Sequence, residues 1–212
     1  MFELLGAPRT IRQDILPPPK EPRVRKSFPA VAVWSLILSS VTAASGGELQ
    51  LDVGAAGRKS TWRGDVSGGT QLGMGYRFAR VLAVDFAIWE EAASVDRRLN
   101  TGLTFGLTGA LPLPSLRPTL RAYFIHQHEE GLVSVADHPF GTVAGIGAGI
   151  RHRAGAGARF GLEIPFDKSK RIEWVALASA DATWFPDSTL GPSAYFGVMA
   201  GVGLNYTLED LP

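Results

Sequence analysis

Apolar side chains recur at every second residue along most of the chain after residue 47. In the run 99–107, Leu, Thr and Phe occupy the odd positions, and Asn, Gly and Thr lie between them. A period of two is typical of a β-strand with one apolar face. The clear segments are 49–55, 70–78, 82–88, 99–107, 120–124, 158–166, 172–184 and 196–206. Many such strands without a helical segment predict an all-β fold, either a sandwich or an up-and-down barrel.

The number of strands depends on one ambiguous stretch, 142–150, which also reads as a strand. A membrane barrel whose two chain ends lie on the same side needs an even number of strands. The stretch therefore belongs to a long loop, which gives eight strands, or a tenth strand is still to be found. Eight strands of about 10–12 residues with their turns fill the chain after residue 44. We expect one β-barrel domain, 45–212, with eight strands, and ten strands as the alternative.

The polar face of these strands distinguishes a membrane barrel from a soluble one. All but one of the 25 Gly follow residue 44, and only Lys59, Lys168 and Lys170 carry ammonium groups there. The exposed face of a soluble barrel would be rich in Lys and Glu. A face of Gly, Ser, Thr and Asn instead suits a narrow lumen, in which side chains must be small.

Paired aromatic residues support the same conclusion. Two pairs, each ten residues apart, lie on the apolar faces of the last two strands: Trp174 with Trp184, and Phe196 with Tyr206. Ten residues of a tilted strand rise about 25 Å, the height of a lipid-facing band. These four residues are predicted to form the aromatic girdles of a transmembrane barrel.

Charged residues on the other face are expected to point into the lumen. Buried charges must be paired, and eight strands leave an interior that side chains just fill. We therefore predict a lumen filled by salt bridges and hydrogen bonds rather than an open pore. The predicted network comprises Asp52, Arg77, Asp85, Arg121, Arg159, Glu163, Glu173 and Asp181.

The first 44 residues have the order of a secretory signal. Six basic residues and a Pro-rich stretch precede an apolar run, 28–38, and small residues follow it. This order predicts a signal peptide over 1–44 with a long n-region and cleavage near 43–45, with an uncleaved anchor as the alternative.

Without the signal peptide, the chain has 15 basic and 17 acidic residues, a balance that offers no positive field for nucleic acid. The absence of Cys excludes disulfides and thiolate metal sites.

The signal segment, the Gly-rich alternating strands and the ending 194–206 resemble the small outer-membrane β-barrel proteins of Gram-negative bacteria, of the outer-membrane protein A and W type. The resemblance implies a monomer in the outer membrane with a structural or binding role and no cofactor. It implies the lipid bilayer, lipopolysaccharide and the barrel assembly machinery as partners. Six residues follow Tyr206, whereas such proteins commonly end on an aromatic residue. Implied periplasmic turns are 79–80, 112–114 and 166–171, and implied outer loops are 57–66, 90–98, 128–155 and 186–193.

All four His lie between residues 126 and 152. His126 and His128 share one face of a strand end, and with Glu129 they are candidate ligands for a divalent metal ion. Arg151 and Arg153 are candidates for contacts with lipopolysaccharide phosphates.

Three other functions remain open from the sequence: a small-solute channel, a lipid-modifying enzyme at the barrel rim and a soluble periplasmic ligand-binding barrel. Lipid A deacylases of this barrel size use His, Ser and a carboxylate near the outer rim, with Ser two residues after His. Here that position is His128, so His126, His128 and Ser134 are only an incomplete match to such a site.

Overall fold

The structure is a computed structural model that describes residues 47–78, 81–95, 97–137, 141–147 and 149–208, and it leaves out the side chains of 134, 136, 137, 142 and 143. The predicted signal peptide, 1–44, lies outside the described residues, as do His138 and the predicted turn at 79–80. None of the helices in the described part of the chain is long and apolar enough to cross a membrane.

In the described part of the chain, eight antiparallel strands form a closed barrel in which each strand pairs with the next and β8 pairs with β1. The strands are β1 (Glu48–Ser60), β2 (Val66–Phe78), β3 (Leu82–Ala93), β4 (Arg98–Ala110), β5 (Arg117–Gly131), β6 (Arg151–Lys168), β7 (Ile172–Trp184) and β8 (Ala194–Thr207). Among the residues described between β5 and β6, two segments form short helices, α1 (Leu132–Asp137) and α2 (Gly141–Ala144). The eight-stranded prediction is confirmed, and the ambiguous stretch 142–150 belongs to the β5–β6 connection.

The strand register sets the tilt of the barrel wall. Residues paired in succession around the barrel are Gln50, Gly75, Asp85, Gly106, Tyr123, Gly157, Thr183, Tyr195 and Ser60. One circuit therefore returns to β1 ten residues further along, from Gln50 to Ser60. A shear of ten on eight strands tilts them by about 40° from the barrel axis. Each residue then rises about 2.4 Å along the axis, and each step to the next strand about 3 Å.

The connections at the two ends of the barrel differ in length. Residues 61–65, 94–97, 132–150 and 185–193 join strands at one end, called here the loop end. Residues 79–81, 111–116 and 169–171 join them at the other, the turn end, where β1 starts and β8 finishes. The strands run further than the sequence predicted. Phe166 and Lys168 belong to β6 rather than to a turn, after a register shift between Pro165 and Asp167.

Glycines on the inner face make room for large side chains of neighbouring strands. Gly102 of β4 pairs with Trp89 of β3, and a Cβ atom at Gly102 would overlap the indole ring. Gly157 of β6 stands in the same relation to Tyr123 of β5. The space allows an apolar cluster inside the barrel, made of Trp89, Tyr123, Ile125, Phe185 and Tyr195.

The outer face carries exposed apolar side chains on each of the eight strands. Leu72 of β2 is 57% exposed, Phe124 of β5 is 74% exposed and Val198 of β8 is 64% exposed. The polar side chains of the same strands are largely buried inside. The barrel is thus apolar outside and polar inside, the reverse of a soluble barrel.

Candidate functional site

The lumen at the turn end holds a group of paired charges. Arg117 forms an ion pair with Glu163 at 3.2 Å and a second with Glu173. Arg77, which is 1% exposed, pairs with the other oxygen of Glu163 and contacts Glu48 at 3.5 Å. Two arginines thus share one buried carboxylate, which links β2, β5 and β6 across the lumen.

The middle of the lumen is held by a second group. Arg121 pairs with Asp85 and donates to the Thr104 hydroxyl at 3.0 Å. The Gln71 amide donates to Asp52 at 3.4 Å and accepts from Arg159 at 2.7 Å. A cavity of about 110 Å³ lies among these polar side chains.

A third group lies closer to the loop end and includes residues that the sequence analysis missed. Arg58 lies 3.4 Å from Glu91 and 3.4 Å from Asp181, which Arg159 also contacts at 3.5 Å. The side chains of Arg58, Glu91 and Asp181 are almost fully buried. Arg58 has the same parity along β1 as Asp52. The alternation could therefore have placed it in the lumen had the strand been extended beyond residue 56.

The loop end of the lumen is covered by the β7–β8 connection. Arg153, 2% exposed, pairs with Glu129 at 3.0 Å and donates to the backbone carbonyls of Asp187 and Pro192. Its guanidinium lies 4.3 Å from the ring centroid of Phe185. The expectation that Arg153 contacts lipopolysaccharide phosphates is wrong, because its side chain points inward and is paired there.

All eight residues predicted for the lumen network face the inside of the barrel. The predicted girdle residues face outward near its two ends. Trp184 and Phe196, 58% and 59% exposed, lie near the loop end. Trp174 and Tyr206 lie near the turn end, where Arg171 donates to the Tyr206 hydroxyl at 3.4 Å. On the scale set by the strand tilt, the two pairs are separated by about 25 Å along the axis.

Three of the four histidines meet on the outer face at the loop end. His126 and His128 project outward from β5, and His152, paired with His128, projects outward from β6. Their nearest ring nitrogens all lie within 4.8 Å of one another, and Nδ1 of His152 lies 3.3 Å from Nε2 of His126. His126 and His152 are exposed, whereas His128 is 4% exposed. We call His126, His128 and His152 the histidine cluster.

The β5–β6 connection folds back over part of this cluster. Helices α1 and α2 both contact β4 and β5, and Gly145 approaches the His128 ring so closely that a Cβ would lie 2.6 Å from Cε1. Gly145 also has a φ of 66°, a left-handed conformation that favours glycine. Thr101, next to His128 on β4, is fully buried and donates to Glu90 at 3.2 Å. The cluster therefore lies in a partly covered groove on the barrel wall.

The other predicted site residues are not brought to this groove. Glu129 lies on the opposite face of β5 and is fully buried there. It forms ion pairs with Arg151 at 2.7 Å and with Arg153. His152 takes the place that the sequence analysis gave to Glu129. Ser134 lies on α1, but its side chain is outside the described part of the structure.

Together these features define a closed eight-stranded antiparallel barrel with a charged lumen and an apolar wall. No family model matches the chain, and no curated protein matches it. Its fold is similar to that of Neisserial surface protein A, with a TM-score of 0.54 and 11% identity, covering 76% of this chain and 97% of that one.

Two further solved structures align over similar shares of the chain. The outer membrane protein OprG from Pseudomonas aeruginosa gives a TM-score of 0.43 and 13% identity, over 78% of this chain and 98% of that one. The N-terminal β-barrel domain of Pseudomonas aeruginosa OprF gives 0.45 and 18%, over 78% and 98%. The likeness to Neisserial surface protein A bears out the small-barrel fold expected from the sequence.

Proposed function

We propose that this chain is an integral protein of the bacterial outer membrane, with a structural or binding role at the cell surface. The observation that carries the proposal is the continuous band of exposed apolar side chains between two aromatic rims. The loop end faces outward and the turn end faces the periplasm. The signal peptide over 1–44 directs export, and the barrel assembly machinery recognises the end of β8.

The apolar band supports a bilayer as the surroundings of the barrel. Leu72, Phe105, Phe160 and Val198 are each more than two fifths exposed, and they lie on four different strands. Monomeric soluble proteins rarely expose a contiguous apolar surface of this extent. In a closed barrel every strand is paired on both edges, so its backbone polar groups are hydrogen-bonded within the protein. A segment that spans the hydrocarbon core of a bilayer requires this.

The lumen supports a structural or binding role over transport. Four groups of ion pairs follow one another along the axis, and Phe185 and Arg153 cover the loop end. An open channel would need a continuous water-filled path. The surface available to ligands is therefore the loop end, where lipopolysaccharide is the expected neighbour and the protein acts as a monomer.

The proposal is tested on the chain expressed in a Gram-negative host and on the same chain purified in detergent. We expect it in the outer-membrane fraction, with a gel mobility that changes on boiling. Planar-bilayer recordings of the purified protein should show no discrete conductance. Recovery in the soluble periplasmic fraction, or mobility unchanged by boiling, would overturn the membrane assignment. Stepwise conductance would overturn the closed lumen.

A lipid-modifying activity at the rim stays a prediction. His126 lies close to the level of the aromatic residues Trp184 and Phe196 at the loop end, where a lipid ester in the outer leaflet would be within reach. Single substitutions His126→Ala, His128→Ala and Ser134→Ala test it directly. A lipid profile that is the same in cells with the parent chain and with each variant would exclude it.

A further inference from the structure

We propose that the histidine cluster binds a divalent transition-metal ion of the Zn²⁺ type on the outer wall of the barrel. The ligands are His126, His128 and His152. The ion uses three imidazole nitrogens and keeps its remaining coordination position for water or another oxygen ligand. This site is independent of the lumen network and of whether the barrel resides in a membrane.

The separation of the ring nitrogens fits such an ion. Zinc–nitrogen bonds of about 2.0–2.1 Å in a tetrahedron place any two ligand nitrogens about 3.3–3.4 Å apart. Nδ1 of His152 and Nε2 of His126 lie 3.3 Å apart. The ligand nitrogens of all three rings fall within 4.8 Å, so His128 needs to shift by only about 1–2 Å to complete the set.

The strands hold the three rings in position before a metal ion arrives. His126 and His128 are two residues apart on β5, so their side chains leave the same face. His152 is held opposite His128 by the β5–β6 register. The rings of His126 and His128 meet edge to face at an interplanar angle of 84°, and those of His128 and His152 at 71°. The rings of His126 and His152, which hold the closest nitrogens, are tilted by 39°. None of the three pairs is stacked in parallel, so the rings can turn their nitrogens toward one point.

The surroundings favour a cation with one open position. Glu130 follows His128 on the outer face of β5, and Glu90 lies two strands away on the same face. These carboxylates bring negative charge to the rim of the groove. The Gly145 segment covers His128 from one side, while His126 and His152 stay exposed. Three protein ligands with an accessible side are typical of zinc sites that keep a water or substrate position.

The height of the groove places the open position at the edge of the apolar band. His126 lies within about 3 Å of the level of Trp184 and Phe196, and His128 and His152 lie about 5–8 Å higher. An oxygen ligand from solvent or from a lipid headgroup can therefore reach the ion. Water and a headgroup offer the same oxygen chemistry, and the two sources are separated by comparing detergent with lipid vesicles.

The test uses the whole barrel, free of any affinity tag, equilibrated with Zn²⁺ and then dialysed near neutral pH. We expect one bound ion per chain by elemental analysis, and saturable binding by calorimetry. Co²⁺ in place of zinc should give the intense visible absorption of four-coordinate cobalt. If the fourth ligand is a headgroup, that spectrum should change between detergent and vesicles that contain anionic lipid. If it is water, the spectrum should stay the same.

Substitutions of single histidines test which side chains bind the metal ion. His126→Gln and His152→Gln change exposed side chains, so both should fold, and each should weaken zinc binding by about 100-fold or more, since loss of an outer-shell partner alone costs 10–100-fold. Phe124→Ala, on the same face of β5 two residues before His126, is the matched control and should bind as the parent does. No retained zinc in the folded parent chain, or unchanged affinity in the double variant His126→Gln/His152→Gln, would overturn the proposal.

Discussion

The guanidinium of Arg58 lies over the indole of Trp89, with its Cζ atom 3.5 Å from the ring centroid. Trp89 is 1% exposed and points into the lumen. Arg58 also contacts Glu91 and Asp181, each at 3.4 Å. One side chain thus pairs with two buried carboxylates and also lies on Trp89, the largest fully buried side chain of the described residues.

Removal of Arg58 is therefore expected to destabilise the barrel strongly. Arg58→Ala leaves Glu91 and Asp181 buried with too little positive charge, and breaking a buried ion pair in this way costs about 3–5 kcal/mol. Lys59→Ala, the next residue on β1, removes an exposed outward charge and should change little. Unfolding by urea, followed by tryptophan fluorescence in detergent or lipid vesicles, measures both. Equal midpoints for the two variants would contradict the assigned role of Arg58.

The second prediction concerns the glycines that face the lumen. In Gly102→Ala the added methyl group would overlap the Trp89 ring. This overpacking should lower the free energy of unfolding by about 1–3 kcal/mol. Gly109→Ala on the same strand is the matched control, because its methyl group would meet only the Leu120 carbonyl at 3.8 Å. The free energies of unfolding of the two variants, measured side by side, test this prediction. A Gly102→Ala barrel as stable as the Gly109→Ala barrel would show that the lumen is looser than the structure indicates.

Much of this arrangement could be predicted from the sequence. Alternation assigns each residue of a strand to one of two faces, so the inward position of Asp85 and the outward position of Trp184 follow from parity alone. The same rule, carried along β5 to its end at Gly131, places Glu129 in the lumen and His128 outside. The outer loop implied at 128–155 starts too early, so the strand boundary is wrong, whereas the rule holds.

Other features depend on contacts that a single strand does not encode. His152 joins His126 and His128 because the register across the β5–β6 connection pairs it with His128. That register is set by neighbours on both sides of β6. The cover of Gly145 over His128 likewise depends on how α1 and α2 fold back, and no periodicity in residues 132–150 indicates it.

A third prediction tests the surroundings of the apolar wall. Leu72 lies at the centre of β2 and is 57% exposed. In a bilayer, Leu72→Arg places a charge near the midplane and should cost about 2–4 kcal/mol. Val133→Arg, on α1 at 84% exposure, should cost little because it lies beyond the apolar band. Folding yields and unfolding free energies in lipid vesicles measure the difference, and a Leu72→Arg barrel that is as stable as the parent would point to water outside.

The fourth prediction concerns the segment that covers the loop end, residues 185–193. Arg153 donates to the carbonyl of Asp187 at 3.0 Å and to that of Pro192, so Arg153→Ala should release the segment from the lumen mouth. Limited proteolysis of the folded barrel should then cleave within 185–193 faster than in the parent.

Thr189→Ala serves as the control for this segment. The Thr189 hydroxyl and amide donate to the Asp187 carboxylate and lower its pKa, but these bonds lie within the exposed segment and do not tie it to the barrel. Cleavage in Thr189→Ala should therefore stay close to that of the parent. Equal protection of Arg153→Ala and the parent would show that packing of Phe185 and Tyr195, with ring centroids 5.8 Å apart, is sufficient to hold the segment without the arginine.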